Sequence, residues 1–226
     1  MARENFTDMR LLLEALVQTL NLIDPSVENH HQETACFAYE LALDAGFSAR
    51  ETELALYAAL LHDIGAIALY EKKVSLQEIE KQAKAVALSG ARMLYGINET
   101  RALAQVVGRC QNSWREEEEP WARIASVVRL ADVVSTLLDP NRPVLNQVRG
   151  LKEGILPLRG VEFSPEAVDA FLRVGEKESV WLDLVYGASI PADFHKPISL
   201  ERTRTLTQLI SRIIDYRSAF TAMHSA

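Results

Sequence analysis

Apolar residues recur three and four positions apart along most of the chain, and sustained apolar/polar alternation is rare. That spacing is helical, because residues three and four apart share one face of a 3.6-residue turn. Leu11, Leu12, Ala15, Leu16, Thr19 and Leu20 form the first such stripe. Asp24-Pro25 reads as an N-cap with proline at the first helical position, opening a helix that runs to about Ala45 and stops at Gly46. Ser48-Ala49-Arg50-Glu51 is a capping box. It opens a helix whose apolar run extends from Leu54 to Tyr70. Ser75-Leu76-Gln77-Glu78 is a second box, followed by a helix to about Tyr95, and a short helix follows over about 100–109. From Trp121 to Leu138, Ile124, Val127, Val128, Ala131 and Val134 share a face, and Asp139-Pro140 ends that helix. Residues 141–161 hold Pro143, Gly150, Gly154, Pro157 and Gly160 and read as an irregular connection or a small β-turn. Ser164-Pro165-Glu166 restarts helix through Arg173, and 177–186 is helical too. Pro191 and Pro197 flank a linker, and 199–226 is one long helical pattern. The expected fold class is therefore all-α, a multi-helix bundle with a long C-terminal helix.

A chain of 226 residues suits one large domain, or one domain plus a piece of another. Its 48% apolar content supports a sizeable core, and ten Gly with eight Pro argue against a disordered or fibrous chain. A net charge of −7 with no basic, aromatic-interleaved stripe argues against binding to duplex nucleic acid. Cys36 and Cys110 lie far apart and make no disulfide framework. With no signal-peptide pattern at the N-terminus, a reducing, cytoplasmic setting is expected. The run from Leu54 to Tyr70 is interrupted at its centre by His62-Asp63, a pair too costly for a bilayer. A core helix is expected there, and no membrane partner.

That interruption carries the chemistry. An imidazole and a carboxylate in an apolar helix are costly to bury unless they are hydrogen-bonded or hold a cation. His30 on the preceding helix and Asp132, inside Val127–Val134, pose the same question. Imidazole with carboxylate suits a divalent ion such as Fe, Mn, Zn, Ni or Mg, and packed helices can bring such residues to one point. Each residue alone has a plainer reading. An interior histidine is more often a hydrogen-bonded core residue, and Asp132 has Arg123 and Arg129 nearby in sequence as partners. Cys110 reads as a packing thiol rather than a soft ligand, and Glu116–Glu119 as a solvated loop.

The set His30…His62-Asp63…Asp132 resembles the signature of the HD superfamily of metal-dependent phosphohydrolases. More narrowly it is similar to the HD-GYP branch, whose members hydrolyse cyclic di-GMP. The resemblance runs over roughly residues 26–186, through His30–Ala35, Gly46, Leu60–Ala66, Ala122-Arg123-Ile124 and Phe163–Val168. His30 rather than His31 falls in register, with His31 a neighbour. The resemblance implies an HD-type bundle over 1–190 and a divalent ion held by His30, His62, Asp63 and Asp132. Asp63 is also the implied catalytic residue. A phosphorylated small molecule or a cyclic dinucleotide is the implied partner, hydrolysed by metal-assisted in-line attack of water on phosphorus.

The chain also departs from that pattern. Ala66 stands where the branch has lysine, and Val86 where it has a ligand histidine. Cys110-Gln111-Asn112 replaces a His-His-Glu segment, and Ser113-Trp114-Arg115 with the acidic run replaces the Gly-Tyr-Pro loop. Only a one-metal set remains. The implied function is then a degenerate metal-binding module, its ion retained or lost, that regulates a downstream HD-GYP domain in cyclic-dinucleotide signalling. The alternatives are an active metal-dependent phosphohydrolase acting on a nucleotide or other phosphoester, and a structural dimerisation bundle. Tyr216–Ala226 resembles the opening helix of a second HD-GYP domain, with His224 at its first ligand position. Residues 191–226 accordingly read as a linker and a long helix that begins a second domain and joins two copies as a homodimer.

Overall fold

The computed structural model describes residues 29–68, 76–95, 100–116 and 120–187, with 7–8, 191, 197–201 and single positions within 15–18 and 203–215. The elements, in chain order, are α1 (His30–Asp44), α2 (Ala49–Leu61), a 3₁₀ turn (Ile64–Ala68), α3 (Leu76–Tyr95), α4 (Arg101–Val107), α5 (Ala122–Leu137), α6 (Val148–Ile155), α7 (Pro165–Val174) and α8 (Glu178–Tyr186). Helix α1 packs on α2 and α5, which also pack on each other. Their shared face is rich in alanine: Ala35, Ala38, Ala55, Ala59 and Ala131 are fully buried, which lets the backbones approach closely. Helix α7 covers α1, and α4 rests on α2 and α3. Phe37 of α1 meets Phe171 of α7 at 6.3 Å and Trp181 of α8 at 5.6 Å between ring centroids, fixing the far end of the bundle. The buried indole of Trp181 donates to Gly175 O at 3.1 Å. The fold is the expected all-α bundle, and no described helix is long and apolar enough to cross a membrane.

Local signals set several boundaries. Gly46 takes φ 75° after α1. The Ser48–Glu51 box forms in both directions: Glu51 N donates to Ser48 Oγ and Ser48 N to Glu51 Oε2. Ser164 Oγ accepts from Ala167 N at 3.1 Å to start α7, with Pro165 in its first turn.

Four boundaries differ from the expected pattern. The helix that runs to Asp44 has its first residue at His30, directly after Asn29 at φ 69°, which is not a helical conformation. His62-Asp63 does not lie inside a continuous helix: α2 ends at Leu61 and the pair forms the turn into Ile64–Ala68, where Ala66 N donates to Asp63 O at 2.8 Å. Residues 148–155 form a true helix despite Gly150 and Gly154, because Leu151 and Ile155, four apart, are buried on one face. Thr7–Asp8 and Pro197–Ile198 make a two-residue antiparallel pair, too short to leave an alternating pattern.

The Asp24-Pro25 cap, Ser75 of the second box, Glu117–Glu119 and Tyr216–Ala226 with His224 lie outside the described residues. So does most of the 11–20 stripe. Of the C-terminal pattern the described positions from 200 to 215 are helical.

Candidate metal centre

His30 is the first residue of α1, His62 follows the last residue of α2, and Asp132 lies inside α5. Because these three helices pack on one another, their polar side chains meet. One ligand-type atom from each of His30, His62 and Asp132 lies within 4.8 Å of the other two. Asp132 Oδ1 is 3.2 Å from His30 Nε2 and 3.4 Å from His62 Nε2. Asp63 Oδ2 is 3.2 Å from His62 Nε2, with a side chain 36% exposed, so it borders the group from the solvent side.

The hydrogen bonds around the centre leave the right atoms free. His62 Nδ1 lies 2.7 Å from Ala59 O and must donate to it. Its Nε2 is buried and has no hydrogen-bond partner among the described residues. Ser135 Oγ donates to Asp132 O at 3.2 Å, so it accepts from His30 Nδ1 at 3.3 Å. It also lies 2.8 Å from Thr34 Oγ1. Both histidines thereby turn Nε2 towards Asp132, as outer hydrogen bonds commonly orient metal-ligating imidazoles. A buried nitrogen facing two carboxylates, whose proton a cation could displace, fits a divalent ion.

The charges point the same way. Burial alone would lower the pKa of His62, but the Asp63 and Asp132 carboxylates raise it well above the ordinary histidine value. Burial would raise Asp132, yet His62 and His30 hold it well below the usual carboxylate range, and Asp63 is lowered in the same manner by His62. Without metal, a proton on His62 takes the place of a cation. His31 is different. Its buried ring lies 5.8 Å from that of His30 and 5.5 Å from that of His62, and its Nδ1 has no partner among the described residues. Burial, then the His62 charge, brings its pKa down to about 3, so it stays neutral.

The plainer readings of these residues fare less well. Arg129 does not pair with Asp132: it donates to Asn112 O and Glu162 O and meets the Glu162 carboxylate at 2.7 Å. Arg123 lies over the Phe47 ring, 4.8 Å from its centroid. Cys110 is the packing thiol expected, fully buried with Sγ 3.1 Å from Val107 O and pushed up to about 12 by burial.

His30, Asp63 and Asp132 line a cleft of about 640 Å³ that Glu33, Arg142 and Gln147 also line. Arg142, which sequence reasoning did not single out, lines this cleft. It falls in the stretch read as irregular, and its only local signal is a cation just after the end of α5. Ser135 was missed too, because ordinary polar residues announce nothing until long-range contacts are known, and Gln111 was read only as part of a replaced His-His-Glu segment. Gln111 Nε2 donates to Asp132 Oδ2 at 3.0 Å across 21 residues of sequence.

Among known proteins, the HD domain family model matches residues 27–137, a span that contains all four ligand candidates. No curated protein matches the sequence. The structure is similar to a crystal structure of a cyclic GMP-AMP specific phosphodiesterase from V. cholerae, with a TM-score of 0.63 and 16% sequence identity. That likeness covers 96% of this chain and 62% of the other, so this chain spans under two thirds of the neighbour's length. The family match and the bundle agree: residues 27–137, just under half of the chain, match the HD domain family and lie in an all-α bundle of that type.

Proposed function

We propose that this chain is a metal-dependent phosphohydrolase domain acting on a small phosphoester, with His30, His62 and Asp132 as ligands of one divalent ion. The observation that carries the reading is the buried His62 Nε2, which makes no well-aligned hydrogen bond and faces two carboxylates, in a group whose other members open onto a cleft. The ion would supply Lewis acidity towards water and towards a phosphoryl oxygen. Asp63, at the solvent edge of the group, completes the ligand set from the cleft side and orients the attacking water. Arg142 offers a fixed positive charge for phosphate at the cleft wall, a role that Ala66 cannot fill. Hydrolysis of a cyclic dinucleotide by the structural neighbour supports a phosphorylated nucleotide as the substrate class here.

A second reading keeps the ion but makes the domain a regulator of a following HD-GYP domain, joined through the C-terminal helix. Ala66, Val86 and Gln111, each replacing a functional group of that branch, favour it. Metal analysis and a turnover panel separate the readings. Wild type should carry about one ion per chain, the count expected from a single ligand set, and His62→Ala should carry almost none. Equal metal in both would refute the centre. Phosphomonoesters and cyclic dinucleotides with added Mn²⁺ or Fe²⁺ should turn over above the Asp63→Ala background; failure with a fully loaded centre would leave the regulatory reading standing.

A further inference from the structure

The two oxygens of Asp132 do different things. Oδ1 faces His30 Nε2 and His62 Nε2, while Oδ2 accepts a hydrogen bond from Gln111 Nε2 at 3.0 Å. Gln111 follows α4 in a turn that is held on both sides. Cys110 before it is fully buried, with Sγ 3.1 Å from Val107 O, and Asn112 after it gives its carbonyl to Arg129 Nη1 at 3.0 Å. Its backbone is therefore placed before any ion arrives, so the amide gives up little freedom in holding the carboxylate.

On the metal reading above, we propose that Gln111 is a positioning residue of this centre. It withholds Oδ2, so that Asp132 ligates through Oδ1 alone and the centre holds one ion. A carboxylate freed of this bond could rotate, offer both oxygens to the ion or reach towards a second one. Outer-shell partners of this kind typically change metal affinity by 10–100-fold when removed.

The test is Co²⁺ titration of the full 226-residue chain, read by calorimetry and by the visible d–d absorption band. Wild type should bind one Co²⁺ per chain. Gln111→Leu removes the donor while filling similar space. It should raise the Co²⁺ dissociation constant about 10–100-fold and change the band, because Asp132 then binds in a different mode. Gln111→Ala should do the same, which guards against a fault specific to leucine. A purely structural role would lower the melting temperature of the metal-free protein and leave the band unaltered, and that result would overturn the proposal. So would wild-type affinity and band in both variants, or two ions on the wild-type chain. Failure of the metal reading looks different: His62→Ala then binds Co²⁺ as well as wild type, or neither binds any.

Discussion

Gly65, two residues after Asp63, is the position at which one added methyl group should report on the whole centre. Its backbone lies against α3 so closely that a Cβ built there would stand 2.0 Å from Val86 O, 2.5 Å from Gly90 N and 3.0 Å from Ser89 Cβ. Ordinary Cβ contacts begin at 3.4 Å, so Gly65→Ala forces the Ile64–Ala68 turn and α3 apart by about 1.4 Å. The nearest obstacles are backbone atoms inside a helix, which cannot rotate aside. Overpacking of this sort costs about 1–3 kcal/mol, and the upper end applies where backbone must move. At about 2–4 °C per kcal/mol for a chain of this size, the melting temperature should fall by roughly 4–12 °C. The displacement also reaches the centre, because Ala66 N is bonded to Asp63 O and Asp63 adjoins His62. Co²⁺ affinity should therefore fall together with stability.

Gly90→Ala is the control. Its nearest contact is Ile64 Cγ2 at 2.8 Å, the end of a side chain that can give way, followed by Val107 Cγ1 and Gly65 N at 3.3 Å. Its loss should be smaller and should leave the affinity nearly intact. Circular-dichroism melts and Co²⁺ titrations of both variants decide the matter. A Gly65→Ala protein that melts with wild type and binds Co²⁺ equally well, or a Gly90→Ala protein that loses more, would refute the close-approach argument.

Two further outcomes follow from the charges. Arg142→Ala should raise KM for a phosphomonoester by about tenfold or more, the loss expected for a charge-assisted phosphate contact. It should leave the melting temperature unchanged, because the residue is exposed at the cleft wall, and an unaltered KM would remove Arg142 from substrate binding. Stability of the metal-free protein should peak near pH 6.5. Below it, His31, held down to about 3 chiefly by burial, refuses a proton that the unfolded chain accepts, and stability is lost as pH falls. Above it, the raised pKa of His62 keeps a proton that the unfolded chain releases, and stability is lost as pH rises through that range. Each limb has a slope of at most about 1.4 kcal/mol per pH unit from its histidine, while Asp63 and Asp132 add loss only in stronger acid. Urea midpoints across pH 5–9 measure both limbs, and a midpoint still rising at pH 8 contradicts the His62 assignment.

Much of the bundle is legible in the sequence because its signals are local. The Ser48–Glu51 box and the Ser164 cap act within four residues, and the stripe on α5 buries the residues that its spacing groups together. His62 and Asp132 are legible for the opposite reason: each is a polar group inside an apolar run, whereas His30 lies in a polar stretch and is legible only through its register in the family pattern; the fold brings all three together. What escapes is whatever depends on distant backbone. The end of α2 at Leu61 cannot be read from Leu54–Tyr70, because the 3₁₀ turn lies against α3 through a contact between Gly65 and Val86 that no periodicity records. Helix α6 hides behind two glycines whose helical cost is met by burying Leu151 and Ile155. Ser135 is 105 residues from the His30 it orients.

The departures from the HD-GYP pattern acquire a common sense once these contacts are in view. Val86 is buried in α3, where its carbonyl faces the glycine of the His62-Asp63 turn, so an apolar side chain there suits the packing that holds the pair. Gln111 does not leave a gap where a ligand is missing; it bonds the free oxygen of Asp132. Ala66 offers no cation, while Arg142, just after the end of α5, brings one to the cleft wall. A site that was merely decaying would leave Asp132 Oδ2 unpartnered and its cleft without positive charge. On the proposed function, Val86 supplies a packing contact, Gln111 a hydrogen bond and Arg142 a charge, which is the arrangement expected of a centre built around one ion.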